Sequence, residues 1–253
     1  MPPSSFGGRG VLVTGGLGGI GTAIAQLLAA RGASVYLARR PGSAIPDPAA
    51  FGTSTRHLEL DVASECDWLQ TLDAIESAGV ALYGLVNNAA VLGAADDFRD
   101  ISLAQWRRHM SVNLDGTFLG CRASMKAMSR AGGGVIVNVS SAAALLAVPE
   151  AAAYCVSKAA VLALTQLAAK AGGRHGVRVN AILPGAVDTP MLCSNLPPGG
   201  SSTAFLDALT RMHPIGRIGT PADVAAAVAF LLDPANDFLT GVTLAVDGGQ
   251  LVL

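Results

Sequence analysis

Short runs rich in apolar and β-branched residues alternate along the chain with longer segments rich in alanine and leucine. The runs are VLVT from Val11, SVYLA from Ser34, HLEL from His57, LYGLVN from Leu82, GVIVNVS from Gly134, VRVNAIL from Val177 and TLAV from Thr243. They predict seven strands. Residues 20–30, 103–130, 153–171 and 221–232 have the length and composition of helices. Strand–helix alternation of this kind predicts an α/β fold, a doubly wound parallel sheet with helices on both faces.

No internal repeat and no Ser/Gly linker divides the 253 residues, so residues 1–253 are expected to form one domain. Two loops stand out by their turn-forming composition. Residues 40–53 hold three prolines; residues 184–214 are long, carry PPGGSS, and predict a substrate lid over about 185–214 that ends in a short helix.

Composition narrows the function classes. With 51% hydrophobic and 14% charged residues the chain reads as a compact enzyme-like protein rather than a disordered one. A net charge of -1 and a pI near 6.4 leave no broad basic field for nucleic acid or an anionic membrane. The mean hydropathy of +0.47 comes from alanine-rich stretches broken by Gly, Pro or charge, and no run reaches the roughly 18 apolar residues of a membrane span. The beginning MPPSSFGGRG lacks the apolar core of a secretory signal, which predicts a cytoplasmic location. Four scattered cysteines and four histidines show no CxxC or HExxH spacing, so no metal site is expected.

The first strand runs into TGGLGGIG, Thr14 to Gly21, and then a helix. Glycines there let the backbone turn tightly and approach a pyrophosphate, while the helix N-terminus offers unpaired N–H groups to the anion. Tyr154 and Lys158 stand four apart in a helical segment and so share one face. An ammonium beside a phenol favours phenolate and lowers its pKa toward the range useful for proton transfer. Ser140 and Ser141 close one strand, Asn87 and Asn88 another. Thr14, Asn88, Ser141 and Pro184 are therefore all predicted at carboxyl ends of strands, where open α/β sheets bind ligands.

TGGLGGIG, LDV from Leu60, NNAA from Asn87, Asn113, SS from Ser140, YCVSK from Tyr154 and PGAVDT from Pro184 together resemble the short-chain dehydrogenase/reductase family, in order and spacing over nearly the whole chain. The resemblance implies a Rossmann-type fold and a nicotinamide cofactor. It implies Tyr154 as proton donor or acceptor, Lys158 as its pKa modifier and a ligand of the nicotinamide ribose, Ser141 as the group orienting the carbonyl, and Asn113 as the holder of a relay water. It places Gly15, Leu17, Gly19, Ile20, Gly21, Asn88, Ala89, Pro184 and Gly185 against the cofactor, Asp61 and Val62 at the adenine, and Val187 and Thr189 at the carboxamide. Ala90 departs from the usual glycine of NNAG and adds a methyl group where the backbone passes the cofactor.

Where relatives preferring NAD(H) carry an acidic residue at the end of the second strand, this chain has Arg39, followed by Arg40. Two guanidinium groups there predict NADP(H) as the preferred cofactor, with NAD(H) as the alternative. The apolar stretch LLAVP (145–149) and the lid residues Met191, Leu192, Leu196, Phe205, Leu206 and Leu209, with no Lys or Arg between Thr189 and Thr210, predict a small-molecule partner: an uncharged secondary alcohol or ketone, cyclic or steroid-like. The alternatives are a 3-oxoacyl thioester reductase and a nucleotide sensor without catalysis; the intact Tyr, Lys and Ser argue against the sensor. A nucleotide-sugar epimerase would need a larger sugar-binding region. The resemblance, with apolar residues on several faces of 103–130 and 154–171, predicts a homotetramer.

Overall fold

The computed structural model describes residues 6–44, 51, 54–93, 98–194 and 202–252. Among them seven strands form one sheet: β1 (Gly10–Thr14), β2 (Ser34–Arg39), β3 (Thr55–Glu59), β4 (Leu82–Asn87), β5 (Gly134–Val139), β6 (Val177–Pro184) and β7 (Thr243–Val246). Every pairing is parallel and the order is β3-β2-β1-β4-β5-β6-β7. The chain winds outward from β1 through β2 and β3, then restarts at β4 on the other side of β1. That reversal leaves a crevice beyond the carboxyl ends of β1 and β4. The third strand begins two residues before the expected HLEL run and stops at Glu59, because its register with β2 starts at Val35↔Thr55.

The helices are α1 (Gly19–Ala30), α2 (Glu65–Ser77), α3 (Leu103–His109), α4 (Gly116–Arg130), α5 (Ala152–Gly173), α6 (Pro190–Cys193), α7 (Ser202–Arg211) and α8 (Pro221–Leu232). The sequence pattern picks out neither α2, whose buried stripe is only Trp68, Thr71 and Ile75, nor α6, a single turn. Central strands have no polar face: β1 and β5 are buried throughout. Val11 and Val13 pack with Ile24, Leu28, Val224 and Val228 of α1 and α8, whereas Leu12 packs on the opposite face with Trp68, Cys121 and Met128 of α2 and α4. Burying each such aliphatic side chain stabilises the fold by roughly 1.5–3 kcal/mol.

The predicted single helix over 103–130 is interrupted. Met110–Asp115 forms a π-helical turn between α3 and α4, a wide turn that inserts an extra residue and re-aims a side chain. Here that side chain is Asn113. The segment Pro149–Gly173 has the length and mean hydropathy of a membrane span, with Ser157, Lys158, Thr165 and Gln166 interrupting its apolar residues. It packs instead against the sheet, with Ser157, Lys158 and Thr165 among its buried residues.

Candidate active site

Gly15 turns the chain out of β1 with φ +62°. A Cβ on Gly21 would lie 2.3 Å from the Gly15 carbonyl oxygen, so any side chain at Gly21 would break the turn. The Asn88 amide donates to the Thr14 and Gly15 carbonyls at 3.0 and 3.2 Å, and the Thr14 Oγ1 accepts the N–H groups of Asn88 and Ala89 at 3.0 Å each. The end of β4 is thereby stapled to the Gly-rich turn. No side chain caps the N-terminus of α1 and its first turn carries no acidic residue, so its amides suit a pyrophosphate. Leu17, Gly19 and Ile20 are half-buried along this turn. Ala90 fits without strain, since every positive-φ residue among the described ones is a glycine.

After β3, Asp61 Oδ1 accepts the Ala63 N–H at 3.0 Å, and the buried Val62 offers its carbonyl to Trp68 Nε1 at 2.9 Å. The two arginines behave differently. Arg40 is exposed, but Arg39 Nη1 lies 2.8 Å from Glu59 Oε1 and 2.7 Å from the Ser43 carbonyl. Arg39 is thus ion-paired, because parallel pairing of β2 with β3 sets Glu59 directly beside it.

The reacting groups gather past the ends of β4 and β5. Lys158, 2% exposed, donates from Nζ to the Val139 carbonyl at 2.7 Å, and Nζ stands 5.7 Å from the centre of the Tyr154 ring. Burial pulls the Lys158 pKa down to about 8. Burial likewise pushes the Tyr154 phenol up; a hydrogen bond with the Ser141 hydroxyl opposes this, and Cys155 adds a smaller push upward. The two groups share one face of α5 as the spacing requires, and in the protein alone burial is the largest influence on the phenol. Ser141 Oγ accepts the Ala143 N–H at 3.1 Å, which leaves its own proton free to point at the phenol or a ligand oxygen.

Asn113, fully buried, accepts the Val91 N–H at 2.8 Å and donates to the Val91 carbonyl and to Ser157 Oγ at 3.0 Å each. The π-helical turn thereby ties the segment that follows β4 to α5. A cavity lined in part by Leu92, Ile101, His109, Ala153 and Tyr154 adjoins this corner.

The segment after Pro184 completes the crevice. Gly185 follows β6, Val187 is buried, and Thr189 Oγ1 caps α6 by accepting the Leu192 N–H at 3.3 Å. A Cβ on Gly19 would lie 2.9 Å from Thr189 Cγ2, so this segment reaches across to the Gly-rich turn. Of the lid, Met191, Leu192, Phe205, Leu206 and Leu209 are placed. Leu196 and most of PPGGSS lie outside the described residues, as do residues 45–50 and 52–53 of the proline-containing loop. Thr14, Ser157 and His213 hold these parts together; the sequence marks Thr14 by its place at a strand end but gives no role to Ser157 or His213. A lone hydroxyl or imidazole carries no spacing signal; only its partners, dozens of residues away, reveal it.

The crevice, its uncapped helix end and its half-buried Tyr154 beside the buried Lys158 define a dinucleotide-binding α/β oxidoreductase. Residues 15–250 match a family model described as enoyl-(acyl carrier protein) reductase, and the chain belongs to the short-chain dehydrogenase/reductase family. It is 39% identical to a 2,5-dichloro-2,5-cyclohexadiene-1,4-diol dehydrogenase of Sphingobium indicum, over 97% of this chain and 98% of the relative. It is 37% identical to a cyclopentanol dehydrogenase of Comamonas testosteroni, over 94% of this chain and 95% of the relative. The solved structure of ElxO with NADP bound superposes with a TM-score of 0.87 at 28% identity, covering 97% of this chain and 99% of that one. The cofactor is accordingly a nicotinamide dinucleotide.

Proposed function

We propose that this enzyme interconverts an uncharged cyclic secondary alcohol and its ketone. The apolar surface on the segments following β5 and β6 carries this reading: Leu145 is 62%, Met191 40% and Val148 36% exposed, and half-buried Leu192, Phe205, Leu206 and Leu209 lie on the lid. Side chains of this size stay in water at a loss of burial free energy, so an apolar ligand against them is favoured. The names of both ring-alcohol relatives agree with this chemistry.

In the reducing direction Tyr154 donates its phenolic proton to the substrate oxygen while the Ser141 hydroxyl hydrogen-bonds and orients that oxygen. A reduced nicotinamide held in the crevice would supply the hydride. Lys158 stabilises the phenolate that remains, and oxidation reverses each step. Gly15, Gly19 and Gly21 would cradle the pyrophosphate, with Leu17 and Ile20 beside it, and Asp61 and Val62 would meet the adenine. Asn88, Ala89, Pro184, Gly185, Val187 and Thr189 would border the nicotinamide half, and Asn113 would anchor a water leading from Lys158 to solvent. NADP(H) is the preferred cofactor in this proposal: Arg40 takes the 2′-phosphate, and Arg39, paired with Glu59, leaves no uncompensated carboxylate at the end of β2 to repel it.

A kinetic screen tests both parts. Cyclopentanol and cyclohexanol should give higher kcat/KM than a keto acid or an acyl thioester. The ratio of kcat/KM for NADP(H) over NAD(H) should exceed one and fall about tenfold or more in Arg40→Ala. A wild-type preference for NAD(H), unchanged in that variant, would remove the arginine from cofactor selection.

The assembly is proposed to be a homotetramer. Leu103, Phe118, Val156 and Leu167 stand exposed on α3, α4 and α5, an apolar surface that a second copy of the chain would cover. Light scattering at micromolar concentration should give about four times the 25.5 kDa chain mass; a monomeric mass would rule the assembly out.

A further inference from the structure

His213 lies just past α7 and is 3% exposed. Its Nδ1 is 2.7 Å from the Leu209 carbonyl, and its Nε2 is 3.1 Å from the Ala186 N–H. A carbonyl can only accept and an amide N–H can only donate, so these partners select the neutral tautomer with the proton on Nδ1. The ring lies flush on the backbone it holds: a Cβ on Gly185 would be 2.6 Å from Nε2. From the other side the Gly219 N–H donates to the Ala186 carbonyl at 2.8 Å and the Asp188 N–H to the Gly219 carbonyl at 2.9 Å.

The segment so held occupies a sensitive place. It leaves β6 beside β5, whose end carries Ser141 and the Val139 carbonyl that Lys158 contacts. Four residues later it touches the Gly-rich turn through Thr189. It therefore spans the distance from the reacting groups to the pyrophosphate site.

We propose that His213 is a positioning residue that sets the depth of residues 185–189 in the crevice, and so the seat of the nicotinamide half of the cofactor, through its bond from the Ala186 N–H. The bond to Leu209 holds the ring at the end of α7 and is secondary. This rests on the reading that the dinucleotide lies along the crevice.

Two amide variants separate the two bonds. In His213→Gln the side-chain oxygen reaches the place of Nε2 and can accept the Ala186 N–H. In His213→Asn the side-chain nitrogen reaches the place of Nδ1 and can donate to Leu209, but nothing reaches Ala186. Kd is measured by calorimetry for the intact dinucleotide and for the corresponding ADP-ribose, which lacks nicotinamide. His213→Asn should raise the dinucleotide Kd by about tenfold, leave ADP-ribose within about twofold, and keep its circular dichroism; His213→Gln should bind like wild type. Unchanged dinucleotide binding in His213→Asn, equal weakening of both ligands, or a His213→Gln no better than His213→Asn would each overturn the positioning role. If wild type bound neither ligand, the cofactor reading itself would fall, and the proposal with it.

Discussion

Tyr154→Phe should lower kcat by at least about 100-fold while leaving the fold and the dinucleotide Kd close to wild type. Positioned general acid–base catalysis is worth about 10²–10⁴ in rate. Phenylalanine retains the ring beside Lys158 and removes only the hydroxyl that meets Ser141. The loss should appear in kcat and kcat/KM together, because the proton moves only in the transition state. A variant that kept more than about a tenth of wild-type kcat with unchanged circular dichroism would show that another group carries the proton.

Lys158→Met should all but abolish turnover and yet raise the melting temperature at neutral pH. The ammonium is buried, and burial has taken its pKa from 10.5 to about 8. Below pH 8 the lysine is charged both folded and unfolded, so the full cost of burying the charge falls on the native state. Between about 8 and 10.5 the unfolded chain binds a proton that the folded chain does not, so this group's penalty shrinks as pH rises. Methionine matches the length of the stem without the charge, and the gain is on the order of 1–2 kcal/mol once the lost bond to the Val139 carbonyl is set against it. Thermal melts across pH 7 to 10 check the sign: the variant's advantage should be largest at pH 7 and narrow steadily above 8. A variant less stable than wild type at pH 7 would mean that the hydrogen bond outweighs the burial of charge. A variant retaining activity would remove Lys158 from the chemistry.

Such opposed effects on stability and turnover are expected where a site holds a charge against solvation for the sake of reactivity. Asn113 shows a milder form: the π-helical turn interrupts a helix of otherwise regular composition in order to bring one amide onto Val91 and Ser157.

Much of this protein is written in local pattern. Strand-length apolar runs separated by helix-length segments specify the seven strands, because a sheet covered on both faces tolerates no polar alternation in its central strands. TGGLGGIG marks the phosphate turn because only glycine adopts the Gly15 backbone and clears the Gly15–Gly21 contact. The four-residue spacing of Tyr154 and Lys158 places them on one face of α5 whatever surrounds it. The direction of the Tyr154 and Lys158 pKa shifts, by contrast, comes from burial at the end of β5, which no spacing encodes. Arg39 reads from sequence as a lone cation at the end of the second strand, but Glu59, twenty residues on, meets it only because β2 and β3 pair in that register. His213 joins Ala186 across twenty-seven residues. Periodicity and glycine chemistry act between near neighbours and survive in a linear reading; desolvation, ion pairing and hydrogen-bond partners depend on which distant segments the fold brings together.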